Sequence, residues 1–138
     1  MPKPMQMQEE NLILSAFHIL THELHENSRG KGFWDDEDEL LLKAHENSQL
    51  YKRIILLFNA EKIALSHSEL SEALERYRKN PDAMDEHCPD FLNVEIEFAD
   101  TVIRILEFCQ RRNLRIGEAI IAKHNFNLTR ERMHGKNS

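Results

Sequence analysis

The sequence is poor in residues that interrupt helices: of 138 residues, only four are glycine, four are proline and 7% are aromatic. It also lacks alternating runs of β-branched residues, which would indicate half-buried strands. Its short apolar runs lie within longer segments of helical periodicity. These absences argue against a β-sheet fold. They predict one all-α domain over residues 1–138, large enough to bury about two thirds of its chain's surface.

Cysteines and long hydrophobic stretches are also scarce. Cys88 and Cys109 are isolated and form no Cys-x-x-Cys motif, so reduced thiols in a cytoplasmic protein are expected. No apolar stretch approaches the roughly 18 residues of a membrane-spanning helix, and no secretory signal sequence is visible. The net charge of −6 argues against a nucleic-acid polymer as ligand, because a phosphate backbone requires a basic surface. A nucleotide stays compatible if a metal ion carries part of the charge.

Helical periodicity predicts a bundle of four to five helices. Asn47-Ser48 suggests a break, Asn80-Pro81 a helix end, and Asn113 a C-terminal cap. The apolar run 54–58 implies burial against other helices or a second subunit. Residues 27–34 and 82–89 are expected to be loops, and residues 1–8 and 131–138 to be flexible. The predicted helices cover residues 9–26, 36–46, 50–79, a segment ending near residue 112, and 116–130.

Two acid-x-x-acid pairs, Glu69-x-x-Glu72 and Glu97-x-x-Asp100, dominate the middle of the chain. In a helix, residues three apart project from the same side. Two such helices packed side by side would bring four carboxylates together, and a hard divalent cation would be needed to compensate their repulsion.

The alternative is that both pairs lie on solvated helix faces. Arg76 follows Glu72 by four residues, and Arg104 follows Asp100 by four, so ordinary surface ion pairs within each helix would explain the pattern. The segment 91–109, however, is apolar around most of its helical circumference, which is typical of a buried helix. Acids in such a helix favour the cation-binding interpretation.

Three histidines, His18, His22 and His25, share one side of the first predicted helix. Their spacing is compatible with a zinc site; the alternative is a polar face that hydrogen-bonds a ligand. In the loop that follows, Gly, Arg and Lys could contact phosphate or form a plain connector, and Trp34 could stack on a base or pack in the core. The acidic run 35–39 fits a helix N-terminus and requires no metal.

Near the end of the chain, Lys123, Asn127 and Arg130 form a polar, basic stripe at helical spacing. The stripe is compatible with a solvated helix edge. It is also compatible with a polyphosphate ligand, since Lys and Arg side chains on one face both donate to phosphate oxygens.

Taken in order, these motifs resemble the MazG-like all-α nucleotide pyrophosphohydrolases. The resemblance covers residues 61–136 well and 26–34 loosely, whereas residues 36–58 form a longer acidic-then-apolar helix than is expected in minimal members. The matching segments are His67-Ser-Glu-Leu-Ser-Glu-Ala-Leu74, Glu97-Phe-Ala-Asp-Thr-Val-Ile-Arg-Ile-Leu106, Lys123-x-x-x-Asn127-x-x-Arg130 and His134-Gly-Lys136.

The resemblance implies an enzyme that hydrolyses nucleoside triphosphates to monophosphate and pyrophosphate, with Mg²⁺ or Mn²⁺ as cofactor, in a homodimer or homotetramer. It assigns Glu69, Glu72, Glu97 and Asp100 to the metal, with Glu69 as the residue that orients the attacking water. It further implies that Lys123, Asn127 and Arg130 bind phosphate, and that His22, His25 and Trp34 contact the base.

Two other functions are compatible with a helical chain of this kind. A di-iron carboxylate bundle needs Glu-x-x-His on two helices, and the only such spacing here is Glu131-x-x-His134. A non-catalytic helical module that binds nucleotide or protein is the second alternative, and release of pyrophosphate would distinguish it from the enzyme.

Overall fold

The computed structural model describes residues 3–131, so the predictions for His134-Gly-Lys136 and for Glu131-x-x-His134 lie wholly or partly outside the described residues, as does much of the expected terminal flexibility. The described part is all-helical, with one isolated bridge between Met84 and Leu92 and no helix long and apolar enough to cross a membrane. The prediction of an all-α bundle is confirmed. Five helices occupy this range: α1 (Met7–Gly30), α2 (Asp35–Lys43), α3 (Ser48–Lys79), α4 (Asn93–Arg111) and α5 (Ile116–Leu128).

Two predicted helix boundaries are confirmed by local geometry. The Asn47 side chain caps α3 by accepting a hydrogen bond of 3.0 Å from the Leu50 N–H, as expected of an N-cap residue. Asn113 follows α4 with a φ of 52°, the left-handed conformation that commonly ends a helix.

The prediction of a loop from residue 27 is wrong for its first four residues, because α1 continues to Gly30. The Asn27 and Ser28 carbonyls accept hydrogen bonds from Lys31 and Phe33 at 3.1 and 3.2 Å. The chain turns only at Gly32, whose φ of 84° is accessible to glycine without a Cβ clash. The side chains at the end of α1 are therefore fixed on a helix.

Helix α4 lies between α1 and α3 and runs antiparallel to both. Arg104 of α4 contacts Glu69 of α3, and about two turns further along α4 Arg112 donates to Asn59 at 2.6 Å. On the other side, Thr21 of α1 donates to Gln110 at 3.1 Å. Helix α4 therefore joins α1 to α3.

Helix α2 is fastened to the C-terminal end of α4 by a buried ion-pair network. Glu37 is only 1% exposed, and both of its oxygens accept hydrogen bonds from Arg112, at 2.7 and 2.6 Å. Arg111 also donates to Glu37, at 3.0 Å, and contacts Asp38. Burial alone would raise the pKa of Glu37, but the hydrogen bonds from Arg112 and Arg111 outweigh it and lower that pKa.

The apolar core of the single chain is small. The sequence predicted that α4 is buried on all sides, but one side of it is exposed. Phe98, Val102 and Ile105 are 42%, 51% and 41% exposed, and Ile63 of α3 is 52% exposed. The reason is that only α1 and α3 pack extensively against α4. The buried apolar residues are Trp34, Ala44, Ile54, Ala73, Val94, Leu106, Cys109 and Ile121.

Candidate functional site

Three of the four predicted metal ligands converge where α3 and α4 face each other. One carboxylate oxygen each from Glu69, Glu97 and Asp100 lies within 4.8 Å of the other two. In residues 3–131 no other set of three or more His, Cys, Asp or Glu side chains converges in this way. Glu72 is exposed and lies outside the group, but it lines the same cavity and acts electrostatically on Glu97.

Two arginines cross between the helices beside these acids. Arg104 of α4 binds Oε1 of Glu69 with Nε and Nη2, both at 2.6 Å. Arg76 of α3 places Nε 3.6 Å from Oε1 of Glu97 on α4. These ion pairs join the two helices, whereas the solvated-face alternative expected pairs between successive turns of one helix.

Negative charge at the site is not fully compensated by the arginines. Burial raises the pKa of Glu97, and repulsion from Glu72 and Glu69 adds to this shift although Arg76 opposes it. Burial likewise raises the pKa of Asp100, with a further contribution from Glu69 that Arg104 opposes. Carboxylate oxygens are the ligands that Mg²⁺ prefers. The donor set and its unrelieved repulsion therefore fit a divalent cation held by Glu69, Glu97 and Asp100.

Asp85 holds the loop between α3 and α4 over one side of the acids. It is 8% exposed and accepts hydrogen bonds from the backbone N–H groups of His87 and Cys88 at 2.9 and 2.8 Å, and from the Asn93 amide at 2.9 Å. The hydrogen bond from Cys88 contributes most to lowering the pKa of Asp85. The sequence analysis missed this residue, although Asp commonly binds backbone N–H groups two or three residues ahead.

Two cavities adjoin the group of acids, one on each side of it, and Glu69 and Asp100 line both. The α3–loop cavity has a volume of about 470 Å³ and is lined by all four predicted metal ligands, with Arg76, Asp85 and Asn93 among the other lining residues. The α1–α4 cavity has a volume of about 230 Å³; Glu69, Asp100 and Arg104 form part of its wall, and Ser28 and Glu107 lie deeper in the bundle. A ligand at the acids therefore has space on both sides.

Trp34 packs in the core, the alternative to base stacking that the sequence left open. It is 0% exposed, with Lys62 Nζ 4.4 Å and Arg111 Cζ 5.1 Å from the indole centroid and the His25 ring edge-on at 5.7 Å. Base contact by Trp34, His22 and His25 stays a prediction without support from the geometry, because none of the three lines either cavity beside the acids.

Within the described residues, the histidines of α1 do not converge on one point. His18 and His22 are exposed, and His22 lies 3.6 Å from Glu23. His25 is 8% exposed; burial and the nearby Arg111 charge lower its pKa, although Glu107 opposes this. The three side chains therefore have different surroundings despite their regular spacing.

Helix α5 carries the predicted phosphate ligands away from the acids. Its Gly117 lies against Phe17, and Asn125 donates to Glu10 at 3.3 Å, so α5 runs towards the N-terminal end of α1. At 1.5 Å per residue, Lys123 lies more than about 20 Å along α1 from the level of Ser28 and the acids.

Within one chain the structure thus separates Lys123, Asn127 and Arg130 from the acid group, and no α5 residue lines either cavity. The Lys123 ammonium lies 4.8 Å from the Phe126 ring centroid, and the Arg130 guanidinium 5.9 Å. The assignment of these residues to phosphate stays a prediction. For them to bind a phosphate beside the acids, α5 would have to come from a second chain.

No protein-family model matches this sequence, and searches of curated proteins and of solved structures give no match either.

Proposed function

We propose that the protein is a Mg²⁺-dependent hydrolase that converts nucleoside triphosphates to monophosphate and pyrophosphate. The observation that carries the proposal is the convergence of Glu69, Glu97 and Asp100 within 4.8 Å, between two cavities that accommodate a ligand. The resemblance of the acid motifs to MazG-like pyrophosphohydrolases supports the same reaction. Mn²⁺ is expected to substitute for Mg²⁺, since both accept carboxylate oxygens.

A Mg²⁺ ion at this site would stabilise the charge that develops on phosphate oxygens during attack at the α-phosphorus. Glu69, Glu97 and Asp100 would hold it, with Glu72 on the cavity wall as a ligand through water. Arg104 binds Oε1 of Glu69 and leaves Oε2 for the metal ion, beside which Glu69 would orient the attacking water. Arg76, whose side chain is 52% exposed, can reach a phosphate while staying beside Glu97.

The same proposal includes a homodimer or homotetramer in the cytoplasm that clears unwanted nucleotides. Phe98, Val102 and Ile105 present an apolar stripe on α4 that the rest of residues 3–131 leaves about half exposed. A second copy of the chain would bury such a stripe and complete the helical bundle.

The experiment is identification of the products formed from mixed deoxynucleoside triphosphates. We expect monophosphate and pyrophosphate with Mg²⁺ and no turnover in EDTA. Glu61→Gln, an exposed acid on the same helix as Glu69, is the matched control and should retain full activity, whereas Glu69→Gln should lose it. Release of orthophosphate and diphosphate would contradict the proposal, because water would then attack the terminal phosphorus.

A non-catalytic nucleotide-binding or protein-interaction module is the alternative function. It is favoured by the pairing of Arg104 with Glu69 and of Arg76 with Glu97, which compensates part of the acidic charge without a metal. Nucleotide binding without any Mg²⁺-dependent turnover across the panel would establish this alternative.

A further inference from the structure

The α1–α4 cavity contains a buried carboxylate that the metal site does not use. Glu107 is 7% exposed and lines this cavity two turns along α4 from Asp100. It forms no hydrogen bond or ion pair with any residue in the described range 3–131, and only its electrostatic effect on His25 is seen. Its carboxylate lines the cavity without a hydrogen-bond donor from the described residues, so it is available to a donor that comes from outside the chain.

Both arginines that could pair with Glu107 along the helix bind elsewhere. Arg104, one turn earlier, binds Glu69. Arg111, one turn later, binds Glu37 and Asp38. The cavity thus keeps an uncommitted acceptor although two cations lie within i±4 of it, the spacing at which helical side chains interact.

A second polar group in the same cavity also lacks a partner. Ser28 is 6% exposed, and its hydroxyl makes no hydrogen bond within the described residues. Asn27 lies beside it on the cavity wall. The cavity therefore offers an acceptor from α4 together with hydroxyl and amide donors from α1. Its volume of about 230 Å³ is below the roughly 300–1,000 Å³ typical of whole-ligand pockets, so it fits one part of a larger ligand.

We propose that the α1–α4 cavity is a base subsite in which Glu107 accepts hydrogen bonds from an amino-bearing nucleobase, guanine foremost. This inference rests on the proposed nucleotide hydrolysis and deepens it by naming the substrate class. Guanine presents its N1–H and N2 amino donors side by side, which matches the two oxygens of one carboxylate. Its O6 then accepts from Ser28 or Asn27. Uracil and thymine present a single N–H between two carbonyl oxygens, and a carboxylate repels those oxygens.

The test compares ligands that differ by one amino group. Wild-type kcat/KM should be at least about tenfold higher for dGTP than for dITP, which lacks the N2 amino group, because a site built around that donor rejects the analogue. In Glu107→Gln the ratio should fall to within about threefold, since a neutral amide accepts more weakly than a carboxylate. Glu61→Gln should keep the wild-type ratio.

Binding of the product measures the subsite without turnover. In calorimetry with Mg²⁺ present, dGMP should bind wild type and Glu61→Gln more tightly than dUMP does, and Glu107→Gln should lose the difference. If this holds and no triphosphate is hydrolysed, the base subsite stands and the proposed hydrolysis fails.

Hydrolysis with equal kcat/KM for dGTP, dITP and dUTP would overturn the inference and leave the hydrolase intact. Loss of Mg²⁺-induced stabilisation in Glu107→Gln would also overturn it, because Glu107 would then belong to the metal site. If that variant does not fold, the wild-type comparison of dGTP with dITP decides alone: a ratio near one refutes the subsite.

Discussion

Replacing Asp100 with Asn should stabilise the metal-free protein and abolish hydrolysis. Two unit charges at the 4.8 Å limit of the acid group repel by roughly 3 kcal/mol at an effective dielectric constant of about 20. Arg104 and solvent offset most of this, leaving a net relief on the order of 1 kcal/mol when the charge is removed. For a domain of this size that corresponds to a rise in Tm of about 3 °C. Asn has nearly the shape of Asp, so the packing of α4 should change little.

In Mg²⁺ the wild type, rather than Asp100→Asn, should have the higher melting temperature. A ligand that binds only the folded state at one hundred times its Kd stabilises by about 2.7 kcal/mol, so wild type should gain about 6–10 °C. Asp100→Asn removes one ligand of the three that converge, and its gain should be much smaller.

Thermal melts of both proteins in EDTA and in Mg²⁺, with pyrophosphate release measured on the same samples, test this reasoning. Glu61→Gln controls for loss of one negative charge on the bundle and should melt as wild type does under both conditions. An Asp100→Asn protein that is active, no more stable in EDTA and indifferent to Mg²⁺ would show that the acids are a solvated face.

Three further predictions concern other parts of the molecule. Glu37→Gln should destabilise the protein by about 3 kcal/mol, because the half-buried Arg112 then has no acidic partner and Arg111 keeps only Asp38; a change below about 1 kcal/mol in urea titration would contradict this. In EDTA, the free energy of unfolding should rise as the pH falls from 7, because Glu97 and Asp100 have raised pKa values and their ionised forms destabilise the fold. It should decrease below about pH 4.5, because Glu37 has a lowered pKa and its protonation removes the ion pairs. A steady decline of Tm from pH 7 would refute this prediction. Lys123→Ala and Arg130→Ala should each lower kcat/KM by at least about tenfold, because in the proposed homo-oligomer the C-terminal segment of a second chain would bring them to the acids; losses below about twofold would refute this, since Lys123 lies more than about 20 Å from the acids of its own chain.

The acid site could be predicted from the sequence because helical spacing fixes which side chains share a face. Spacing puts Glu69 with Glu72 on one face of α3 and Glu97 with Asp100 on one face of α4, but it does not indicate that Glu72 lies outside the converging group. The role of Glu37 could not be predicted, because it lies in an acidic run of similar residues and its partner Arg111 is 74 positions away.

Other features depend on tertiary structure that periodicity does not encode. The exposure of Val102 reflects how many helices surround α4, and the separation of Lys123 from the acids reflects the direction in which α5 leaves the bundle. Glu107 is a similar case: its spacing from Arg104 and Arg111 is that of ordinary helical ion pairs, and only the other contacts of those arginines leave it without a partner.

The antiparallel pairing of α3 and α4 also orders the assembly of the protein during folding. Contacts across this hairpin span progressively longer loops, from Arg76–Glu97 beside the turn, through Glu69–Arg104 at 35 residues, to Asn59–Arg112 at 53 residues. The entropy lost in closing a loop grows with its length, and local contacts form faster than distant ones. The carboxylates should therefore meet early, while the hairpin closes from its turn. The Glu37–Arg112 contact, across 75 residues, would form later than these and stabilise a centre that already exists.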